Sequence, residues 1–307
     1  MSADECKSGV LPNLLLGGPG RTGTTSLFAY LSSHPLVCGS QKKETGYFLN
    51  PLFNQPLAPI ETYTKLFAGF TGQKYVLEAT PAYLLGGRKV ADAIKKVLGD
   101  FRVVFILRDP VERYISGYWH IRSKVLQDES LTCDDYLTRS LGVTIESLQG
   151  FDDLHYAILV EGKYADYLEQ WYEVAGEDSI YIMFYDDLVR DQPETLRELL
   201  AWLHLPPEGI AERMPHSNKA LQVRSSTMQQ LARAIVKNGE PFLLRHPNLK
   251  RALSEIYYAV NSKGKRETCP PRIRSYLEDY YREPNRRLGV LLREKNTPQL
   301  PGWLVEY

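Results

Sequence analysis

The feature that most constrains this chain is a short apolar run that passes through a glycine-rich turn into a helical segment. Residues 11–18 are apolar and predict a buried strand, and residues 26–31 predict a helix that ends near His34. The turn, residues 18–25, carries two glycines separated by four residues and followed by two threonines. Backbone N–H groups of such a turn, and of the helix N-terminus after it, face one point and bind anions. An ordinary capped strand-to-helix turn is the alternative, but this spacing favours a phosphate site.

Short apolar runs continue to alternate with helical segments along the chain. The runs predict strands over residues 75–78, 101–107 and 180–185, and helical spacing predicts helices over residues 88–98, 110–118, 162–172, 193–203 and 271–292. Such alternation is typical of a parallel sheet covered on both faces. We therefore expect an α/β, P-loop-like fold of three layers, with a central parallel sheet flanked by helices. We expect one domain over residues 1–307, with its core in residues 11–293 and residues 1–10 flexible.

Charge and composition disfavour several functional classes. The 307 residues include 37 basic and 37 acidic side chains, which disfavours a general nucleic-acid or anionic-membrane binder. The charge is uneven: residues 126–200 carry 18 acidic and 4 basic side chains, whereas residues 216–274 carry 12 basic and 3 acidic ones, so a local anion site is plausible. No run approaches the roughly 18 apolar residues of a membrane helix, and the first residues lack the apolar region of a secretory signal. The four separated cysteines predict neither a zinc knuckle nor a disulfide framework, and we expect a cytoplasmic protein.

The glycine-rich turn differs from a Walker A loop. Thr24 stands where that loop has its lysine, and the cation is Arg21, inside the turn. A P-loop kinase also needs a carboxylate for magnesium at the end of a neighbouring strand. The most apolar strand here ends in Arg108, and Asp109 follows it, so a magnesium role for Asp109 is disfavoured but stays open. We expect a phosphate-bearing ligand handled without a metal.

Two motifs resemble those of sulfotransferases that use 3′-phosphoadenosine 5′-phosphosulfate (PAPS). Residues 20–27, GRTGTTSL, resemble the 5′-phosphosulfate loop of this family, and residues 108–116, RDPVERYIS, resemble its 3′-phosphate motif. Similarity to the heparan-sulfate branch, that of the N-deacetylase/N-sulfotransferases and 3-O-sulfotransferases, continues through residues 43–48, 78–83, 262–266 and 280–285. The resemblance therefore covers nearly the whole chain.

The resemblance implies a set of nucleotide-binding residues. Those in the phosphosulfate loop are Gly20, Arg21, Thr22, Gly23, Thr24, Thr25 and Ser26. Arg108 and Ser116 would bind the 3′-phosphate, which separates PAPS from other adenine nucleotides. Lys263, Gly264 and Lys265 match a segment that closes over the nucleotide in the family, with a solvated run of charge as the alternative.

The resemblance also implies catalytic residues. Arg21 would stabilise the charge that grows on the leaving phosphate, where many relatives have lysine. Glu44 aligns with the general base of the heparan-sulfate branch, and an acceptor hydroxyl needs such a base. Glu78 is a rival or a helper, because it ends a buried strand beside the same loop. His120, four residues after Ser116 on one helix face, is a further candidate, although a core or surface histidine is an equal alternative.

Two departures from the heparan-sulfate branch bear on the acceptor. Ala79 stands where enzymes of glycosaminoglycans often have lysine, and the acidic stretch of residues 126–200 would repel a sulfated sugar. Residues 220–262 lack the cysteine pair of secreted relatives, which fits a cytoplasmic enzyme.

The prediction is a sulfotransferase that moves the sulfuryl group from PAPS to a hydroxyl or amine of a carbohydrate or small molecule and releases PAP. We expect this enzyme to use no metal and to bind neither nucleic acid nor a membrane. The identity of the acceptor and the oligomeric state stay open. One alternative is a P-loop small-molecule kinase, which would need magnesium and ATP. Another is a nucleotide-binding module without catalysis.

Overall fold

Five parallel strands form the central sheet of this computed structural model, which describes residues 9–125, 128, 130–214, 222–223, 262–263, 269–297 and 299–305. The strands are β1 (Leu14–Gly18), β2 (Val37–Gly39), β3 (Tyr75–Ala79), β4 (Arg102–Leu107) and β5 (Ile180–Phe184). Their order in the sheet is β2-β3-β1-β4-β5, and every pairing is parallel. The predicted α/β fold is confirmed, whereas the single-domain organisation stays a prediction.

A second, antiparallel sheet pairs β6 (Gln222–Val223) with β7 (Ser262–Lys263). Of the predicted nucleotide segment, only Lys263 belongs to the described residues, by its backbone. Gly264 and Lys265 lie outside them, as do residues 1–8 of the segment that we predict to be flexible.

The helices of the described residues include the six that the sequence predicts. They are α1 (Thr24–Ser32), α2 (Ile60–Thr64), α3 (Gly87–Leu98), α4 (Pro110–His120), α5 (Cys133–Leu141), α6 (Ile158–Glu161), α7 (Tyr164–Ala175), α8 (Tyr185–Arg190), α9 (Gln192–Trp202), α10 (Pro271–Glu294) and α11 (Gly302–Val305). Turns of 3₁₀-helix cover Tyr47–Phe53, Lys65–Phe67, Pro81–Gly86, Phe151–His155 and Glu177–Ser179, and Ile121–Val125 is a π-helical turn. None of the described helices is both long and apolar enough to cross a membrane.

The sequence prediction missed strand β2 and helix α5, as well as the short helices α2, α6, α8 and α11 and the strands β6 and β7. Strand β2 has only three residues, too few for an apolar pattern to identify. Helix α5 begins with a reciprocal pair of hydrogen bonds between Thr132 and Asp135, a capping box that the sequence displays. That local signal could have located the start of α5.

Alternating side chains of the central strands enter two different apolar layers. Leu15 of β1 and Phe105 of β4 pack with Ile94 of α3 and Trp171 of α7. The neighbouring residues of the same strands, Leu14, Leu16, Val104 and Ile106, pack with Leu27 and Leu31 of α1 and with Leu196, Leu199 and Leu200 of α9. Both faces of the sheet are therefore covered, which explains why the strands are almost wholly apolar.

The strand order brings the carboxyl ends of β3, β1, β4 and β5 side by side. The chain leaves β1 toward β2 and β3 on one side, and then crosses over to β4 on the other. Ligands of open α/β sheets bind at the carboxyl ends of the strands beside such a change of direction. The glycine-rich turn after β1, the end of β3 at Glu78, and Arg108 after β4 all lie at this edge.

A buried ion pair connects α4 to α6 beneath this edge. The side chain of Arg113 is fully buried, and its Nη1 lies 2.5 Å from Oε2 of Glu161. Its Nη2 donates to the carbonyl oxygen of Ile158 at 2.5 Å, and its guanidinium lies over the ring of Tyr164. Helix α4 carries Ser116, so this ion pair supports one wall of the site.

We expect Arg113→Leu to lower the free energy of unfolding by about 3–5 kcal/mol, because it leaves the Glu161 carboxylate buried without its cation. Urea denaturation measures this. The double variant Arg113→Leu/Glu161→Leu should recover most of the loss, and the exposed, ion-paired Arg282 provides a control in Arg282→Leu, which should change stability little. Equal losses in the single and the double variant would contradict this role of the pair.

Candidate active site

The turn between β1 and α1 needs glycine at two positions where the backbone has a positive φ angle. Gly18 has a φ of 109°, and a β-carbon there would lie 1.5 Å from the carbonyl oxygen of Pro81. Gly23 has a φ of 95°. Both predicted loop glycines are therefore required by the backbone. Thr22, fully buried, donates its hydroxyl hydrogen bond to the carbonyl oxygen of Pro19 at 2.7 Å and closes the turn.

Helix α1 begins directly after this turn, at Thr24. Gly23 is the residue before the helix, and it has no side chain that could accept hydrogen bonds from the first N–H groups of α1. Thr24 is buried and Thr25 is exposed at this terminus, with Ser26 and Gly20 half-buried nearby in sequence. The terminus has the partial positive charge and the donors that an anion needs.

Arg21 connects the two motifs, which lie far apart in the sequence. Its Nε donates to the hydroxyl oxygen of Ser116 on α4 at 3.4 Å, and its carbonyl oxygen accepts from Nη1 of Arg108 at 3.1 Å. The predicted residues of the 5′ and 3′ motifs therefore meet beside the N-terminus of α1. Two guanidinium groups, a hydroxyl and helix amides form a donor set that suits a ligand with several phosphate groups.

Arg108 is held by aromatic side chains. Its guanidinium lies 4.5 Å from the ring centre of Tyr185, the residue that follows β5, and the hydroxyl of Tyr164 donates to the Arg108 carbonyl oxygen at 2.8 Å. Among the described residues, no carboxylate lies within ion-pairing distance of Arg108. The cation is oriented by the ring and keeps its charge available for an anion.

Asp109, the candidate magnesium ligand of a kinase, serves as a helix cap. Its Oδ1 accepts from the N–H of Val111 at 2.8 Å at the start of α4, and burial raises the pKa of its carboxyl group. Nowhere in the described ranges do three or more His, Cys, Asp or Glu side chains form a group that could hold a metal ion.

Glu44 lies on the segment that follows β2, next to the end of β3. Its backbone N–H donates to the carbonyl oxygen of Ala79 at 2.8 Å, and its carboxylate forms an ion pair with Lys43. The side chain of Glu44 is 59% exposed, so an acceptor could reach it.

Two of the candidate catalytic residues, Arg21 and Glu44, have left-handed backbone conformations. The φ angle is 70° at Arg21 and 60° at Glu44, a region that non-glycine residues seldom occupy. Such strain persists only where the surroundings impose it, and it is concentrated at functional sites. Here the backbone of Arg21 accepts a hydrogen bond from the Arg108 side chain, and the backbone of Glu44 donates one to Ala79.

Glu78 lies near Glu44, at the end of β3, and the pKa of its carboxyl group is strongly raised. It is fully buried, and its Oε1 accepts from the hydroxyls of Thr80 at 2.6 Å and Thr45 at 3.1 Å. Burial raises its pKa to about 7, although hydrogen bonds from Thr80, Tyr83 and Thr45 oppose that rise. Glu78 is thus poorly placed to meet an acceptor and well placed to hold the segment of Thr45.

His120 lies at the C-terminal end of α4, half-buried, one turn beyond Ser116. It shares helix α4 with Ser116, which contacts Arg21. Its candidacy as a catalytic residue stays a prediction.

Comparison with known proteins decides the family. The family model described as "Sulfotransferase domain" matches residues 11–243. The chain belongs to this family. The predicted sulfotransferase is confirmed at the level of family and enzyme class.

Several relatives of this sulfotransferase domain are known. It is 38% identical to the membrane-associated sulfotransferase kil1 of Dictyostelium discoideum over 111 residues, which cover 35% of this chain and 22% of kil1. It is 24% identical to the human bifunctional heparan sulfate N-deacetylase/N-sulfotransferase 3 over 304 residues, which cover 96% of this chain and 31% of that protein. The chain therefore spans less than a third of the length of either relative.

A solved sulfotransferase from Alicyclobacillus acidocaldarius has the same fold. It superposes with a TM-score of 0.59 at 22% identity, over 75% of this chain and 95% of that one. The predicted P-loop-like fold of the sulfotransferases is confirmed.

Three residues of the site were absent from the sequence prediction. Tyr185 stacks on Arg108, Tyr164 holds the backbone of Arg108, and Lys43 pairs with Glu44. Tyr185 could have been inferred, since β4 and β5 are consecutive strands of a parallel sheet and the residues at their carboxyl ends meet. Tyr164 lies in a helix whose contact with Arg108 has no sequence signal.

We expect the stability of this sulfotransferase domain to decrease as the pH rises, because of the raised pKa of Glu78. A carboxyl group whose pKa is about 7 when folded, against an ordinary value near 4.5, binds protons more readily in the folded state. This proton binding contributes its full stabilisation of the folded state below the pKa of the unfolded state, near 4.5. The stabilisation is lost as the pH rises through 7. Between pH 5 and 8 the free energy of unfolding should fall by about 2–3 kcal/mol more in the natural protein than in Glu78→Gln.

Urea denaturation over that pH range measures the difference between the two proteins. Glu61→Gln, which changes an exposed glutamate, should follow the natural profile. Parallel pH profiles of the natural protein and Glu78→Gln would show that the carboxyl group of Glu78 titrates normally.

Proposed function

We propose that this chain transfers the sulfuryl group of PAPS to a hydroxyl or amine of an acceptor and releases PAP. The observation that carries the proposal is the meeting of Arg21, Ser116 and Arg108 beside the N-terminus of α1. When bound, PAPS supplies an activated sulfate whose S–O bond to the phosphate breaks as the acceptor atom attacks. The protein has to position the two reactants and stabilise the departing phosphate.

The glycine-rich turn supports binding of the 5′ end of the nucleotide. Thr24, Thr25 and the amides at the start of α1 would bind the 5′-phosphate. Arg21 would stabilise the charge that develops on its bridging oxygen, and its guanidinium can donate two parallel hydrogen bonds. Arg108 and Ser116 would bind the 3′-phosphate, with Arg108 held flat by Tyr185.

Glu44 is proposed as the general base. Its exposed carboxylate, fixed to the end of β3 through its own N–H, would accept the proton that the acceptor hydroxyl loses. Lys43 forms an ion pair with this carboxylate beside the end of β3.

Glu78 is proposed as a positioning residue for Glu44. Its hydrogen bonds with Thr45 and Thr80 join the end of β3 to the segment after Glu44, and Thr80 in turn accepts from the N–H of Gly46 at 3.1 Å. The left-handed backbone of Glu44 is thus fixed on both sides, by Ala79 and by Thr45.

An acceptor of low negative charge is favoured. Ala79 is fully buried in an apolar layer and offers no cation to a sulfated chain, and residues 126–200 are strongly acidic. We therefore propose a neutral saccharide or small-molecule acceptor. The kinase alternative is disfavoured by the use of Asp109 as a helix cap. Thermal shifts with PAP, ADP and ADP plus magnesium distinguish the two, because PAP should stabilise a sulfotransferase most.

We expect Arg108→Ala to weaken binding of PAP by roughly 10- to 100-fold, because it removes charge-assisted hydrogen bonds to the 3′-phosphate. Binding of adenosine 5′-phosphosulfate, which has no 3′-phosphate, should change far less. Isothermal titration measures both. Arg88→Ala, which removes an exposed arginine paired with Glu173, serves as the matched control. Equal losses for the two nucleotides would move the 3′-phosphate site away from Arg108.

Glu44→Gln should reduce turnover by about 10²-fold or more while PAP affinity stays nearly unchanged, since the amide cannot accept the proton. Turnover with labelled PAPS across an acceptor library provides the measurement, and Glu61→Gln the control. Turnover that survives Glu44→Gln intact would remove Glu44 from the mechanism.

A further inference from the structure

Two cysteines that are far apart in the sequence lie side by side in the fold. Cys133 is the first residue of α5, and Cys269 lies two residues before α10. Their Sγ atoms are 3.4 Å apart, although 136 positions separate them in the chain. Both are free thiols. A disulfide has an S–S length of about 2.05 Å, so a movement of about 1.4 Å would be enough for a bond to form.

The surroundings hold the two thiols together. Asp134, next to Cys133, forms an ion pair with Arg272, three residues after Cys269, at 2.6 Å. Cys133 is buried in an apolar cluster that contains Ile273 of α10, and the half-buried Cys269 packs against the same cluster. The contact is therefore made by two elements that are fixed to each other.

We propose that Cys133 and Cys269 are a reversible disulfide site. This inference is independent of the proposed reaction. The site takes a two-electron oxidant such as hydrogen peroxide, or a small disulfide such as oxidised glutathione, and a dithiol reverses it.

The two thiols have different roles in the oxidation. A hydrogen bond with Cys133 and the positive charge of Arg274 lower the pKa of Cys269, against the opposing effects of burial, Asp134 and Glu112. The same hydrogen bond and burial raise the pKa of Cys133. Cys269, the more accessible of the two, is therefore the nucleophile, and Cys133 is the resolving thiol.

The chemistry balances with hydrogen peroxide as the oxidant. Cys269 loses its proton, and its thiolate attacks one peroxide oxygen. The O–O bond breaks, the departing hydroxide takes up that proton as water, and a sulfenic acid remains on Cys269. The sulfur of Cys133 then attacks the sulfenic sulfur, its proton departs with the hydroxide as water, and the S–S bond forms. Two thiols lose two electrons, and one peroxide is reduced to two molecules of water.

The cross-link would fasten the chain four residues after Lys265 to the start of α5. It would also close a long loop of the unfolded chain, since the two cysteines are 136 positions apart. Loop closure of this length lowers the entropy of the unfolded state and stabilises the folded one.

The experiment treats the full chain with hydrogen peroxide, and separately with oxidised glutathione, then alkylates the remaining thiols and maps the peptides by mass spectrometry without reduction. We expect a peptide that links Cys133 to Cys269 and disappears with a dithiol. The oxidised protein should melt about 5–10 °C above the reduced one. Cys38→Ser, a change at a buried thiol outside the pair, should leave both results unchanged.

Single variants separate the two roles. Cys133→Ser should leave a sulfenic acid or a glutathione adduct on Cys269 that a dimedone probe or mass spectrometry detects, whereas Cys269→Ser should leave Cys133 unreactive. Neither variant should show the rise in melting temperature. Cys269 is only half-buried, so Cys269→Ser should fold even if Cys133→Ser does not. Alkylation of both thiols after oxidation, or cross-links only to Cys6, Cys38 or another molecule, would overturn the proposal.

Discussion

The position of β1 between β3 and β4 is the constraint on which the rest of this structure depends. Leu16 of β1 is in register with Ala79, the last residue of β3, and with Val104 of β4, so β1 is paired on both sides up to the start of its turn. The turn after β1 then lies between the end of β3 and Arg108. A different strand order would separate the guanidinium groups from each other and from Glu44.

The charged groups at this edge differ in their partners: some pair with other charges or hydroxyl groups, and one is held by an aromatic ring and a carbonyl oxygen. Beneath it, Arg113 and Glu161 are buried and neutralise each other, and buried Glu78 shares its oxygen with hydroxyl groups. At the surface of the site, Arg108 is oriented by the face of an aromatic ring and by a backbone carbonyl oxygen. The buried charges give rigidity to the walls, and the guanidinium at the surface keeps the field that a phosphate ligand requires.

Some of this organisation follows from local signals in the sequence. The apolar runs predict four of the five central strands, and the helical spacing predicts the helices that cover both faces. The glycines of the turn were predicted from their spacing, and the positive φ angles of Gly18 and Gly23 in the structure explain why glycine stands at both positions. The motif residues Arg21, Arg108 and Ser116 were predicted through their resemblance to a family, and Glu44 through the same resemblance.

The class of fold, the glycine-rich turn and the family could be predicted from the amino-acid sequence, because each depends on residues that are neighbours along the chain. Three features depend instead on the packing of distant segments: Glu78 is buried behind Thr45, Tyr164 holds the backbone of Arg108, and Cys133 lies beside Cys269. Burial and contact between distant segments depend on how strands are ordered and helices packed. No local pattern of residues specifies that order, so those three features became visible only once the sheet was assembled.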